Sequence, residues 1–223
     1  MGLFSQWRSS SPRDARALRE RMVRDQIEAR GVRDPRVLDA MREVPREQFV
    51  PLDRAKQAHD DCALPIGEGQ TISQPYIVGL MLEALALSGE EIVLEIGTGS
   101  GYETALLSHL AARVFSVERV AALADECRAR LAEFRNVEIV VADGTLGLPD
   151  RGPFDAIVVT AAGPSVPQPL VDQLAEGGRL VMPLGSRDEQ MLVRLTRHGA
   201  ETTTTDLCAC RFVPLIGAHG FSA

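Results

Sequence analysis

The chain has 223 residues, of which 45% are apolar and 25% charged, with a formal net charge of −7. That length buries about 70% or more of the unfolded surface, enough for one well-packed domain. The acidic balance argues against a nucleic-acid carrier, which would show a basic stripe, and no apolar run reaches the roughly eighteen residues a membrane span needs.

Residues 1–11 have no long apolar stretch of the kind a secretory signal carries. Met1-Gly2 is not followed by the Ser or Thr at position 6 that a myristoylation signal wants, since Gln6 stands there. These residues read as a loose tail. Leu18, Met22, Val23 and Ile27 then keep helical spacing, with Gly31 as the stop. Asp34-Pro35 is an N-cap followed by proline at the first helical position, and that helix runs to about Glu43, ahead of Pro45. Residues 61–74 are rich in Pro, Gly, Thr and Ser and read as a loop. From Pro75 onward Val78, Met81, Leu82 and Leu85 form another apolar helical face.

The rhythm then becomes alternating strand and helix. Residues 92–96 form a short buried strand, followed by a glycine loop and a helix carrying Leu106, Leu107 and Leu110. A second strand spans 113–118, and the next helix sets Val120, Leu123, Cys127, Leu131 and Phe134 on one side. Strands follow at 137–142 and 155–160, then a helix near 168–174, and a fifth strand at 179–184 after Gly177-Gly178. Late strands at 190–196 and about 205–213 flank a turn at His198-Gly199. Alternation of this kind predicts an α/β fold with a mainly parallel sheet covered on both faces. The last two strands, with no helix between them, predict an antiparallel edge. Cys62, Cys127, Cys208 and Cys210 and the histidines at 59, 109, 198 and 219 form no cluster at metal-ligand spacing, so no metal is expected. Free thiols fit a reducing cytosol.

The loop between the first buried strand and its helix reads EIGTGSGY over residues 95–102. In a parallel sheet ligands bind at this end of the strands, and glycines let them approach the backbone closely. A dinucleotide fingerprint would put its third glycine at position 102, which is Tyr102; the third glycine is instead Gly101. Three acids end three successive strands: Glu95, Glu118 and Asp143, the last followed by Gly144. Each alone is an ordinary solvated strand-end residue. In register, Glu118 suits a pair of ribose hydroxyls and Asp143 an adenine amino group. Such a negatively lined pocket suits a ligand carrying a sulfonium and an ammonium, not a pyrophosphate. The chain looks like a class I methyltransferase of Rossmann-like fold.

Residues 64–76 read LPIGEGQTISQPY. With VPREQFVP at 44–51, VLEIGTGSGY at 93–102, FDAIVVTAA at 154–162 and RFVPL at 211–215, they resemble the protein-L-isoaspartate O-methyltransferases over about residues 22–215. The glycine loop is shared by many methyltransferases; the run from Gly69 to Pro75 is the specific element. The resemblance implies methyl transfer from S-adenosylmethionine to the free α-carboxylate of L-isoaspartyl residues, with damaged proteins and peptides as partners. It implies Ser73 as the active-site serine, and a substrate cleft formed by Thr71, Ile72 and the backbone near Val213. Glu95, Gly97, Thr98, Gly99, Ser100, Gly101, Glu118, Asp143 and Gly144 are the expected cofactor residues. The expected organisation is one domain: the tail, a helical extension with the substrate loop over 12–88, and a cofactor-binding core over 89–223. A cytoplasmic monomer is expected, with no nucleic-acid or membrane partner.

A carboxylate acceptor is already ionised at neutral pH, so no base is needed to make it a nucleophile. The task left to the enzyme is to hold oxygen, methyl carbon and sulfur in line. Ser73 would donate a hydrogen bond to the carboxylate; with no histidine base at a recognisable motif it is not expected to act as a covalent nucleophile. Ser73 and Thr71 are also residue types that cap helices, and capping ahead of Pro75 is the competing reading. Relatives often carry Gln where Glu103 follows the glycine-loop Tyr102, and other residues near His59 and Cys62; Glu103 adds negative charge near the cofactor. Two other functions compete: a methyltransferase of the same fold with another carboxylate acceptor, and a non-catalytic adaptor that keeps the cofactor fold.

Overall fold

The computed structural model describes residues 12–222, so the expected loose tail lies outside it. Helix α1 (Pro12–Met22) runs on through one wide turn, Val23–Ile27, and one tight turn, Glu28–Arg30, and stops at Gly31, where φ is +109°. Met22, Val23 and Ile27 are fully buried, while Leu18 lies at the edge of that face, 37% exposed. Helix α2 (Pro35–Glu43) begins as expected: the Asp34 carboxylate accepts the Arg36 N–H at 2.8 Å.

The stretch predicted as loop contains a hairpin. Strands β1 (Leu64–Gly67) and β2 (Gln70–Ile72) pair antiparallel around Glu68-Gly69, both at positive φ. Leu64 and Ile72 face each other in register and are buried, which supplies the apolar face such a short pair needs. Pro65, Gly67 and Gly69 hid this pattern, because those residues ordinarily mark chain that is not strand. Helix α3 (Pro75–Leu85) follows two residues later, so the hairpin and the helix between them fix the path of Ser73.

Seven strands form the main sheet: β3 (Ile92–Ile96), β4 (Arg113–Glu118), β5 (Val137–Val141), β6 (Phe154–Val159), β7 (Leu174–Gly185), β8 (Gln190–His198) and β9 (Glu201–Cys210). Their spatial order is β5-β4-β3-β6-β7-β8-β9, parallel from β5 to β7 and antiparallel thereafter. The chain winds outward from β3 to β5, then crosses back to β6 on the other side of β3. That reversal opens a crevice at the carboxyl ends of β3 and β6. Helices α4 (Tyr102–Leu110), α5 (Ala121–Arg130) and α6 (Gln168–Asp172) make the connections. One apolar core joins Val93, Val114 and Ala156 to α2, α3 and α4; the other joins Leu94, Phe115 and Ile157 to Leu170 of α6.

Some boundaries differ from expectation. Strand β7 starts at Leu174, ahead of the two glycines, because Phe154 pairs with Leu174 before an irregularity restores register at Ala156 and Arg179. Helix α5 ends at Arg130, so Leu131 and Phe134 follow it instead of extending its face. Strand β9 begins at Glu201, where consecutive threonines, β-branched and suited to a pleated edge, pair with residues 194–197. It ends at Cys210, and the released segment turns inward, with the Ala162 N–H donating to the Val213 carbonyl at 2.8 Å.

Arg36 ties the extension to the core. Its guanidinium donates to the Leu87 carbonyl at 2.6 Å and the Leu110 carbonyl at 3.1 Å, at the ends of α3 and α4. Arg36→Ala should lower stability by about 1–3 kcal/mol, the range for losing hydrogen bonds to a charged group. Thermal unfolding measures this, and an unchanged midpoint would show that the two helix ends are held without it.

Candidate active site

A cavity of about 240 Å³ opens at the carboxyl ends of β3, β4 and β6. The glycine loop forms one wall, the β2 end with Ser73 another, and residues 213–216 a third. Gly97, Thr98, Gly99, Ser100, Glu118 and Gly144 line it, as do Thr71, Ile72, Ser73 and Val213. Two groups expected from separate stretches of sequence, one for a cofactor and one for an acceptor, therefore share one cleft.

Glu95, Gly101 and Asp143 stand outside the cavity wall. Glu95 is fully buried beneath the glycine loop. Its Oε2 accepts the Thr104 hydroxyl at 2.5 Å and the Ser116 hydroxyl at 2.6 Å, and Ser116 Oγ lies 2.6 Å from Thr98 Oγ1. With Ser116 donating to Glu95, Thr98 donates to Ser116, so the chain of hydroxyls ties the loop to the acid below it. Burial pushes the Glu95 carboxyl up to about 7 against the hydrogen bonds from Ser116 and Thr104, and repulsion from Glu118 adds to the rise. Gly101 packs against α5: a Cβ there would stand 3.2 Å from Cys127 Sγ and from Leu131 Cδ1.

Glu118 reaches the loop from the second strand. Its Oε2 accepts the Gly99 N–H at 3.0 Å and its Oε1 accepts the Val120 N–H at 2.9 Å. Each carboxylate oxygen keeps a lone pair for a further donor, the requirement for a pair of ribose hydroxyls. Gly99 has φ of +53°, which only glycine adopts readily, and that dihedral aims its N–H at Glu118.

Asp143 is occupied by its own neighbourhood. Oδ1 accepts the Thr145 N–H at 2.9 Å and the Thr145 hydroxyl at 2.7 Å, and Oδ2 accepts the Ala218 N–H at 2.8 Å. Burial works against its charge, but these bonds outweigh it and hold the carboxyl below its ordinary value. Its bond to Ala218 fastens the segment carrying Ile216, another cavity residue, over the end of the sheet. Gly144 follows on the wall, where a Cβ would run into the Ile96 side chain.

The Ser73 side of the cleft rests on two charged residues. The fully buried Arg46, from the PREQ stretch, donates to the Ala58 carbonyl at 2.8 Å and to the Ser73 carbonyl at 2.7 Å. Its guanidinium also stacks over the Tyr102 ring, 4.8 Å from the centroid. Asp61 accepts from Gln74 Nε2 at 2.8 Å and pairs with Arg30 at 2.6 Å. The N-cap position of α3 is Gln74, with no side-chain cap. Neither Ser73 nor Thr71 caps the helix, which removes that competing use of the Ser73 hydroxyl.

Sequence reasoning missed Thr160, Ala161, Ile216 and Arg119 as wall residues, and placed Glu103 only near the cofactor. Thr160 follows β6 directly, so the strand-end logic applied to Glu95 and Glu118 reaches it too. Ile216 carries no comparable signal, since its position depends on the Asp143–Ala218 bond.

A parallel sheet with this switch point, a G-x-G-x-G loop and a ribose-matched acid defines a class I methyltransferase. The family described as protein-L-isoaspartate(D-aspartate) O-methyltransferase matches residues 17–220. The protein-L-isoaspartate O-methyltransferase of Methanoculleus marisnigri is 55% identical over 205 residues, covering 91% of this chain and 93% of that one. Protein-L-isoaspartate O-methyltransferase 1 of Rhodopseudomonas palustris is 56% identical over 211 residues, covering 93% and 86%. A solved protein-L-isoaspartate O-methyltransferase superposes with a TM-score of 0.81 at 29% identity, covering 91% of this chain and 67% of its own. The structure of a Plasmodium falciparum protein described as a protein-L-isoaspartate O-methyltransferase, in complex with S-adenosyl-L-homocysteine, has a TM-score of 0.78 at 25% identity, with 89% of this chain and 98% of that one covered. The chain belongs to the protein-L-isoaspartate O-methyltransferase family. It is an S-adenosylmethionine-dependent methyltransferase, and the spare acceptors of Glu118 and the acidic cleft fit that cofactor.

Glu118→Ala should weaken S-adenosylmethionine binding by about 1–3 kcal/mol, the cost of leaving buried hydroxyls unpaired; titration calorimetry reads it directly. Unchanged affinity in a folded variant would take Glu118 out of the site.

The raised value of Glu95 has its own consequence for stability. The group ionises near 4.5 when unfolded and near 7 when folded. Its contribution is therefore fully present below about 4.5 and lost as pH climbs to about 7. Glu95→Gln should flatten that part of the pH–stability profile, seen as a smaller fall in melting temperature between pH 5 and pH 8 than in the wild type. An identical fall in both proteins would show that other groups set the slope.

Proposed function

We propose that the enzyme moves the methyl group of S-adenosylmethionine to the free α-carboxylate of L-isoaspartyl residues in damaged proteins, with Ser73 orienting the acceptor. The observation that carries this reading is the meeting of Ser73 and the glycine loop across one cleft. The cofactor supplies an activated methyl on a neutral leaving group. The acceptor carboxylate is ionised at neutral pH, and the chain's own residues have only to place it. Ser73 donates from its hydroxyl while Arg46 holds its carbonyl from behind. Ile72, Val78 and Val213 keep the adjoining wall apolar, which limits water around the transferring group. Thr71 lies at the exposed mouth, where a peptide backbone would run. We further assign it to the cytoplasm, a reducing compartment that its four free cysteines fit.

An isoaspartyl peptide assayed beside its aspartyl twin tests the substrate: methylation confined to the isoaspartyl form supports it, and equal methylation of both overturns it. Ser73→Ala should lower kcat by roughly ten- to a thousandfold, the range for one positioned donor. Its melting temperature should stay near wild type, because Ser73 does not cap α3. A turnover number within about twofold of wild type would remove Ser73 from catalysis.

A further inference from the structure

Glu103 is a buried acid that the fold leaves unanswered. It sits in the first turn of α4, is 6% exposed, and lines the cleft between the glycine loop and Val78. Its Oε1 is buried without a hydrogen-bond partner, and so is Oε1 of Glu95 behind it. The charged groups around it do nothing to balance it. Glu95 on β3 repels it and Glu118 on β4 adds to the acidity of the same wall. Arg46 is engaged by the Ala58 and Ser73 carbonyls and by the Tyr102 ring, Arg130 of α5 donates to the Ser100 carbonyl, and Arg119 at the mouth is exposed. The thiol of Cys127 on α5 and the phenol of Tyr102 are both held neutral by burial. Helix α3 offers Val78, and β6 ends in the uncharged Thr160.

We propose that Glu103 is a charge-matching group for the cofactor: it carries a proton while the cleft is empty and gives it to solvent when a cationic ligand enters. S-Adenosylmethionine carries a sulfonium, an ammonium and a carboxylate, and so enters with a net charge of +1. The product, S-adenosylhomocysteine, has lost the sulfonium charge with the methyl and is neutral overall. Entry of the cation turns the Glu103 carboxyl into a carboxylate, one proton passing to buffer, and the methyl's departure lets the proton return. Burial and the repulsion of Glu95 both favour the protonated starting state. The cleft thereby prefers the charged cofactor to its neutral product, and favours product release. This rests on the methyltransferase reading above.

The test is titration calorimetry of the whole protein at pH 7 in two buffers of different ionisation enthalpy, with S-adenosylmethionine and S-adenosylhomocysteine as the two ligands. S-Adenosylmethionine should bind with release of up to about one proton and an affinity that rises up to about tenfold per pH unit. S-Adenosylhomocysteine should release little and bind with little pH dependence. In Glu103→Gln the release should vanish and the preference for S-adenosylmethionine over product should shrink several-fold. Equal release in wild type and variant, or no difference between the two ligands in the wild type, would overturn the proposal. The wild-type ligand comparison stands without any variant. Failure of both ligands to bind would instead sink the methyltransferase reading.

Discussion

The buried hydrogen-bond chain from Thr98 through Ser116 to Glu95 is the constraint on which the cleft depends. A glycine-rich loop is intrinsically loose, because each glycine adds backbone freedom that must be removed on folding. Here two acids remove it from two directions: Glu95 from below through side chains, and Glu118 from the side through the Gly99 N–H. The arrangement is demanding, since burying a carboxyl is costly unless its oxygens are satisfied. Glu95 meets that requirement at one oxygen only, and burial pushes its carboxyl up to about 7.

The acceptor wall is built differently. It has no sheet beneath it, so Ser73 is positioned by a short hairpin on one side and α3 on the other, and both need outside support. Arg46 supplies it by spanning Ala58 and Ser73, two points far apart in sequence, while its flat guanidinium covers the ring of Tyr102. Tyr102 belongs to the glycine loop motif. The buried arginine thus ties the acceptor wall to the cofactor wall, so that the distance across the cleft is set by packing and not by flexible loops.

How much of this was legible in the sequence follows from how local each cause is. The strands at 92–96 and 113–118 could be read to the residue because parallel central strands are short apolar runs bounded by strong turn signals. The hairpin at 64–72 was not, because its evidence for strand is the pairing of Leu64 with Ile72, which exists only once folded. Placement of the acids shows the same division. Position after a strand put Glu95, Glu118 and Asp143 at the right end of the sheet. It did not show which acids face the cleft, because that turns on partners far away in sequence, such as Ser116 for Glu95 and Ala218 for Asp143.

The placement of the acids also bears on how the proposed anionic acceptor would be received in an acidic cleft. Glu95, Glu103 and Glu118 all lie on the cofactor wall, on or behind the glycine loop, whereas the wall with Thr71, Ile72 and Ser73 contains no acid. Behind that second wall stand Arg46, which burial lowers from its ordinary value but leaves a cation, and Asp61, which is paired with Arg30. The acids that line the cleft, Glu103 and Glu118, therefore stand on the glycine-loop side and not beside Ser73. On the proposed assignment, a cationic methyl donor would lie on the acidic wall and a carboxylate on the wall without lining acids. As the methyl crosses, the two ligand charges annihilate, so the attraction that gathers the reactants is absent for the products. Separation of the acids from Ser73, more than the number of either, is what suits the cleft to joining a cation to an anion.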